Sequence, residues 1–209
     1  MARASGWAAF LAGQREKLVG HHRETTLDEH WLAQLPGFVD AVDLGTPETV
    51  PLHTEVMRDH LMVTREGDGW RLSGLFDFEP AMRGAPEYEF AAVGLFVSSG
   101  DSAFLRSLLL AYGYHPAELG PDFSRRCLAY TLLQVYSDFR WYLDVLPAPR
   151  ESTFVSLADA WWGVYGVPPD YPATYPRKRS EIRDNPAIAT DTGTVPGVHQ
   201  GPGQKEEPP

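Results

Sequence analysis

Apolar residues recur at helical spacing along most of the chain up to Val164, and they alternate in one short stretch. Trp7, Phe10, Leu11, Leu18 and Val19 share one side of a predicted helix over 5–20. A second helical pattern, over 27–42, is interrupted at Pro36, which lacks a backbone N–H and crowds the preceding turn. After a turn at Arg83-Gly84-Ala85-Pro86, a helix is expected over 87–97. Asp101 can cap the next helix, 102–112, which stops at Gly113. A longer helix over 121–146 carries Phe123, Cys127, Tyr130, Leu133, Val135, Phe139 and Tyr142. The last spans 152–164. The stripe of Tyr130, Leu133, Tyr136, Phe139 and Trp141 reads mostly as core. Trp161 and Trp162 are adjacent, so only one is expected to face the core fully, and His21, His22 and His30 are expected at the surface.

The alternating stretch reads as a β-hairpin. A strand over 60–64 leads to Glu66-Gly67-Asp68-Gly69, which is turn chemistry, and a return strand follows over 70–78. His53, Glu55, Asp59 and His60 precede the hairpin, and Asp77 and Glu79 close it. A hairpin returns its two ends to one place, so these groups can converge. Convergent carboxylates and imidazoles are the pattern of a metal or phosphate site. Asp59 and Glu79 fit either a supporting role or that of solvated loop acids. Glu87 reads as a helix N-terminal acid stabilised by the helix dipole. The expected fold class is α+β: a mainly helical body with one small hairpin and about six helices. Neither an internal repeat nor a Gly-rich phosphate loop occurs in the chain.

From Val167 onward the pattern stops. This stretch is rich in proline and polar residues and poor in large apolar ones. It cannot bury enough surface to offset its ordering entropy, so a largely disordered tail over 167–209 is expected, with Tyr171 and Tyr175 as its packing points. Arg177-Lys178-Arg179 within it reads as a solvated charge run. The chain thus divides into a helical lead-in over 1–50, a core over 51–166 and this tail.

Composition narrows the function classes. Hydrophobic residues make up 43% and charged residues 22%, as in a soluble globular protein. The formal net charge is -10, from 28 acidic and 18 basic residues. Such a balance argues against nucleic acid, whose phosphates need clustered Lys and Arg; it fits simple solubility first and the attraction of cationic ligands second. The single cysteine, Cys127, excludes a disulfide framework and a thiolate metal site. No apolar run reaches the length of a membrane span, and the N-terminus lacks a signal-peptide core, so a cytoplasmic location is the default expectation.

Phosphoryl transfer needs few groups: a carboxylate to orient the attacking hydroxyl and take its proton, and ligands for the cation that bridges the phosphates. Protein kinases supply them as H-x-D-x-x-x-x-N and, one hairpin later, D-F-G. This chain reads His53-Thr54-Glu55, four residues, His60, a hairpin, then Asp77-Phe78-Glu79. The next helix opens with Gly84-Ala85-Pro86-Glu87-Tyr88-Glu89-Phe90-Ala91. With Tyr136-Ser137-Asp138-Phe139-Arg140-Trp141-Tyr142 further on, the segment over about 5–165 resembles the C-terminal lobe of the aminoglycoside phosphotransferase family, antibiotic kinases of the protein-kinase-like fold, and its hygromycin-kinase-like members. The family pattern is roughly H-G-D-x-x-x-x-N, a hairpin, I-D-F, then G-D-P-x-x-D-L-A. The resemblance implies ATP γ-phosphoryl transfer to a hydroxyl of a small cationic acceptor, with Mg2+ or Mn2+. It implies Glu55 as the catalytic base, His60 and Asp77 as metal ligands, and His53 and Glu89 as supports of the loop.

This chain departs from the family in four places. Glu55 stands for Asp, one methylene longer, and a displacement of about 1 Å at a reacting group can cost roughly 10²-fold in rate. His60 stands for Asn, and imidazole suits manganese, iron or zinc better than magnesium. Thr54 stands for the Gly that usually relaxes the turn. The family's N-terminal sheet-rich lobe, with its phosphate-pairing lysine, has no counterpart before Pro51, so the chain reads as a C-lobe whose N-lobe partner is missing. A second reading follows: a pseudokinase-like domain that binds a partner or a small cationic ligand without catalysis. A third takes His53-x-Glu55, with His115 as a distant ligand, as the start of a His/carboxylate oxygenase site; it needs a β-barrel where the sequence reads as helix.

Overall fold

The computed structural model describes residues 2–166, and the expectations for the tail over 167–209 lie outside the described residues. The described chain is α+β and mainly helical, with seven α-helices and four short strands. Helices α1 (Ala2–Glu24) and α2 (Glu29–Ala41) come first, and Asp28 caps α2 by accepting from the His30 N–H. Pro36 lies inside α2 and does not end it. Burial of Leu32, Leu35 and Val39 on that helix outweighs the hydrogen bond that the proline removes.

The strands form two nested antiparallel pairs. The inner pair is the predicted hairpin, β2 (Leu61–Glu66) with β3 (Gly69–Leu75). The outer pair, β1 (Val50–Leu52) with β4 (Met82–Gly84), joins the two ends of the whole segment. At three residues each, β1 and β4 are too short for alternation to reveal them. A Cβ on Gly84 would lie 2.6 Å from the Trp7 ring and 2.8 Å from Leu52, so glycine lets β4 close against α1.

Helix α3 (Pro86–Ala92) begins at Pro86 and runs directly into a π-helical stretch, Val93–Ser98. The change of register coincides with Trp162. Its indole N–H donates to the Phe90 carbonyl at 3.1 Å, and the ring leaves no room for a Cβ on Gly94. Helix α4 (Ser102–Tyr112) has the predicted Asp101 cap and ends at Gly113, whose φ is +122°. The predicted long helix over 121–146 is instead two: α5 (Pro121–Leu132) and α6 (Phe139–Val145). Side chains of α1 hold the break open. Gln14 donates to the Leu133 carbonyl at 3.1 Å, His22 to Leu132 at 2.9 Å and His21 to Ser137 at 2.7 Å. Asp138 then caps α6 by accepting from the Trp141 N–H. Tyr136, expected in the core stripe, is exposed at the break, as is its neighbour Val135.

Helix α7 (Phe154–Trp162) runs through the centre of the body. It is covered on more than one side, so Trp161 and Trp162 are both buried, where only one was expected. Each satisfies its indole N–H, Trp161 on the Pro147 carbonyl and Trp162 on Phe90. His22 is also a correction: it is fully buried against α5, whereas His30 is exposed as expected. Burial pushes the His22 imidazole down to about 4. A second, smaller cluster of Trp7, Leu52, Ala85, Tyr88 and Tyr130 packs α1 against the base of the outer strand pair.

Candidate functional site

The polar groups singled out in the sequence lie on the two connections between the nested strand pairs, 53–60 and 76–81. The outer pair holds these connections together at one end and the hairpin at the other. Glu55, His60 and Asp77 each aim one ligand atom into a common space, with all three atoms within 4.8 Å of one another. The acids Asp59 and Glu79 are exposed to solvent. Arg58 turns away, and its guanidinium donates to the Val97 carbonyl at the end of the π-helical stretch.

Each histidine is fixed in one tautomer by a main-chain partner. A carbonyl can only accept, so His60 Nδ1 carries the proton in its 2.8 Å hydrogen bond to the Glu55 carbonyl. The Nε2 atom therefore faces the cluster and lies 3.4 Å from Asp77 Oδ2, longer than an ordinary N–H···O bond. His53 is arranged the other way. Its Nε2–H donates to the Phe76 carbonyl at 2.9 Å, and its Nδ1 accepts from the Glu55 N–H at 3.3 Å. With both ring nitrogens engaged, His53 ties the first connection to the second and has no donor atom left for a ligand. Phe78 stacks edge-on against it, with ring centroids 4.5 Å apart.

Glu89 reaches this loop from α3. Its carboxylate accepts from the His53 N–H at 2.5 Å and from the Thr54 N–H at 3.0 Å. This contact holds an unfavourable backbone. Thr54 has φ of +74° and Asp77 has φ of +71°, and a β-branched residue rarely adopts such a value. Strain of this kind costs about 1–3 kcal/mol per residue and persists only where the surroundings impose it. Here Glu89 and the bond from Thr54 Oγ1 to the Pro80 carbonyl impose it.

Burial pushes the Glu55 carboxyl upward, against the pull of His60; Asp77 adds to the upward shift. A carboxylate made more basic in this way is a better proton acceptor and a stronger cation ligand. The donor set of one imidazole nitrogen and two carboxylates fits a divalent cation. Beside the cluster, Pro51, Leu52, His53, Phe78, Ala81, Met82 and Arg83 line a cleft of about 410 Å³. Glu87, expected to act on the helix dipole, also pairs with Arg126 at 3.3 Å. His115 caps the short turn Pro116–Glu118 by accepting from the Ala117 N–H, and is not part of the Glu55, His60 and Asp77 cluster.

Sequence reasoning missed the outer strand pair and the break at Gln134–Asp138. The pair Ser137-Asp138 ahead of an aromatic run was the available signal for the second, since Asp is a preferred N-cap. None of the described helices is long and apolar enough to cross a membrane. Among protein families, the model described as the phosphotransferase enzyme family matches residues 1–124, a span that contains Glu55, His60, Asp77 and Glu89. Neither a curated protein nor a solved structure matches the chain.

Proposed function

Because this chain belongs to the phosphotransferase enzyme family, we propose that the cluster at the base of the hairpin serves transfer of the ATP γ-phosphoryl group to a hydroxyl of a small cationic acceptor such as an aminoglycoside. The convergence of Glu55, His60 and Asp77 on two braced connections is the observation that carries this reading. Glu55 is the base: it orients the acceptor hydroxyl and takes its proton as the oxygen attacks. Its raised basicity suits that task. His60 Nε2 and Asp77 would hold the divalent cation, which when bound neutralises charge on the phosphate oxygens. His53 and Glu89 act by holding the loop in its strained geometry. The protein's net charge of -10 favours a cationic acceptor.

A second reading is favoured by one observation. Lys17, the single lysine among the described residues, lines a separate pocket with Gln14, His21 and Val135, so none of the described lysines serves the cluster. On that reading the domain binds its ligand without turnover. Calorimetric titration of the full chain with ATP, in Mg2+ and in Mn2+, separates the two. The phosphotransferase reading expects saturable ATP binding, phosphorylation of an aminoglycoside, and loss of phosphorylation in Asp77→Ala. Absence of ATP binding with both cations would leave the non-catalytic reading in its place.

A further inference from the structure

We infer that the cluster selects a transition-metal dication over magnesium, with His60 Nε2 as a direct ligand. The inference rests on the proposed reading of His60 and Asp77 as cation ligands beside Glu55, and it departs from the magnesium that phosphoryl transfer commonly uses. Three observations support it. First, the tautomer is fixed. The Nδ1–H bond to the Glu55 carbonyl leaves Nε2 as the ring atom that faces Asp77, and a metal-bound histidine commonly donates its other N–H to a carbonyl in this way. Second, the ring is already in place. His60 is 7% exposed, packed beside His53 and Phe76 with centroids 6.0 and 5.6 Å away. Little rotamer entropy remains to be lost when it binds. Third, Nε2 and Asp77 Oδ2 are 3.4 Å apart without a hydrogen bond of ordinary length. Two donors with bonds of about 2.0–2.2 Å to one ion lie roughly 2.9–3.4 Å apart, so this separation suits a shared ion.

The chemistry of the donors decides the preference. Magnesium favours oxygen ligands and gives up water reluctantly, whereas imidazole nitrogen suits the first-row dications, with affinity rising from manganese to copper and falling back at zinc. His60 supplies a nitrogen where an oxygen donor would serve magnesium. His53 cannot substitute for it, because both its nitrogens are hydrogen-bonded.

The test uses the full chain, freed of metal, with Mn2+ as probe. Mn2+ binding is followed by electron paramagnetic resonance, Mg2+ by competition, and pulsed resonance reads the nitrogen bonded to bound Mn2+. Mn2+ should bind at least tenfold more tightly than Mg2+, with nitrogen coupling from one imidazole. In His60→Asn the coupling should vanish and the preference should fall to within about threefold. Absence of nitrogen coupling in the unaltered protein, or equal affinity for the two ions, would overturn the inference without touching the phosphotransferase reading. Conversely, a nitrogen-coupled Mn2+ site in a chain that binds no ATP would support the inference and remove the catalytic proposal. These wild-type measurements decide the matter even if His60→Asn fails to fold. Asp77→Asn should weaken both ions alike.

Discussion

The helical body hides Phe139, Phe154, Trp161 and Trp162 almost completely, whereas β2 and β3 leave Met62, Val63, Trp70 and Leu72 at least half exposed. Both regions are rich in apolar side chains, so composition does not distinguish them. What differs is the number of faces covered. Helix α7 is covered on more than one side and leaves only Val155 and Asp159 exposed, whereas the inner strand pair is held by its own ladder. A two-stranded hairpin is marginal in water by itself, so its position is set at its base, where the two connections meet the body. The candidate site lies at that base. The body supplies Glu89 and the anchor for Arg58, and the hairpin region supplies Glu55, His60 and Asp77. Of the four non-glycine residues with positive φ among the described residues, Thr54 and Asp77 occur on these connections, and Thr26 and Ser99 lie at helix ends in the body.

The sharpest test of this contrast is Trp162→Ala, which should lower stability by about 3–5 kcal/mol. The lost ring leaves a cavity beside Gly94 and frees the Phe90 carbonyl. Thermal and urea unfolding would reveal it; a loss below 1 kcal/mol would show that α7 is not the centre of the fold.

Acid should distinguish the body from the site by sign. His22 is buried neutral with its pKa lowered from 6.5 to about 4, so the unfolded chain binds a proton in this window that the folded chain does not. Stability should therefore fall by up to about 3 kcal/mol as pH drops from 6.5 to 4, and His22→Gln should remove that component. Glu55 behaves oppositely. Its carboxyl is raised, so the folded state binds the extra proton and the Glu55 contribution falls as pH rises above the ordinary carboxylate range. Glu55→Gln should be more stable than the parent at neutral pH, with the difference fading on acidification. Parallel pH profiles for the two variants would break the comparison.

Glu89→Ala tests the junction. It removes the acceptor for two main-chain N–H groups and should cost about 2 kcal/mol while lowering metal affinity by tenfold or more. Intact metal binding in a folded Glu89→Ala protein would show that the loop holds itself. The smallest effect belongs to Trp70→Ala on the hairpin, which should change stability by no more than about 0.5 kcal/mol. A larger loss would mean that the exposed indole is covered in solution.

Much of the site was legible because its signals are local. Turn chemistry at Glu66–Gly69 implied a hairpin, and a hairpin implies that His60 meets Asp77. The Glu55–His60 spacing and the family pattern supplied the rest, including Glu89 as a support. The three-residue strands β1 and β4 are illegible because their pairing joins residues about 30 positions apart and carries no periodic pattern. The division of the long helix was hidden for a related reason: Gln14, His21 and His22 impose it from the other end of the chain.

The amino-acid sequence by itself determined most of the helices, the cap at Asp101, the hairpin and the identity of the polar groups near it, since each depends on residues within a few positions of one another. Tertiary structure alone decided which imidazole nitrogen faces the cluster, which tryptophans are buried and where the backbone is held against its preference. Those outcomes depend on carbonyls and carboxylates brought in from distant elements, such as Glu89 on Thr54 and Phe90 on Trp162. A hydrogen-bond partner far along the chain leaves no local trace, because its effect exists only once the chain has folded.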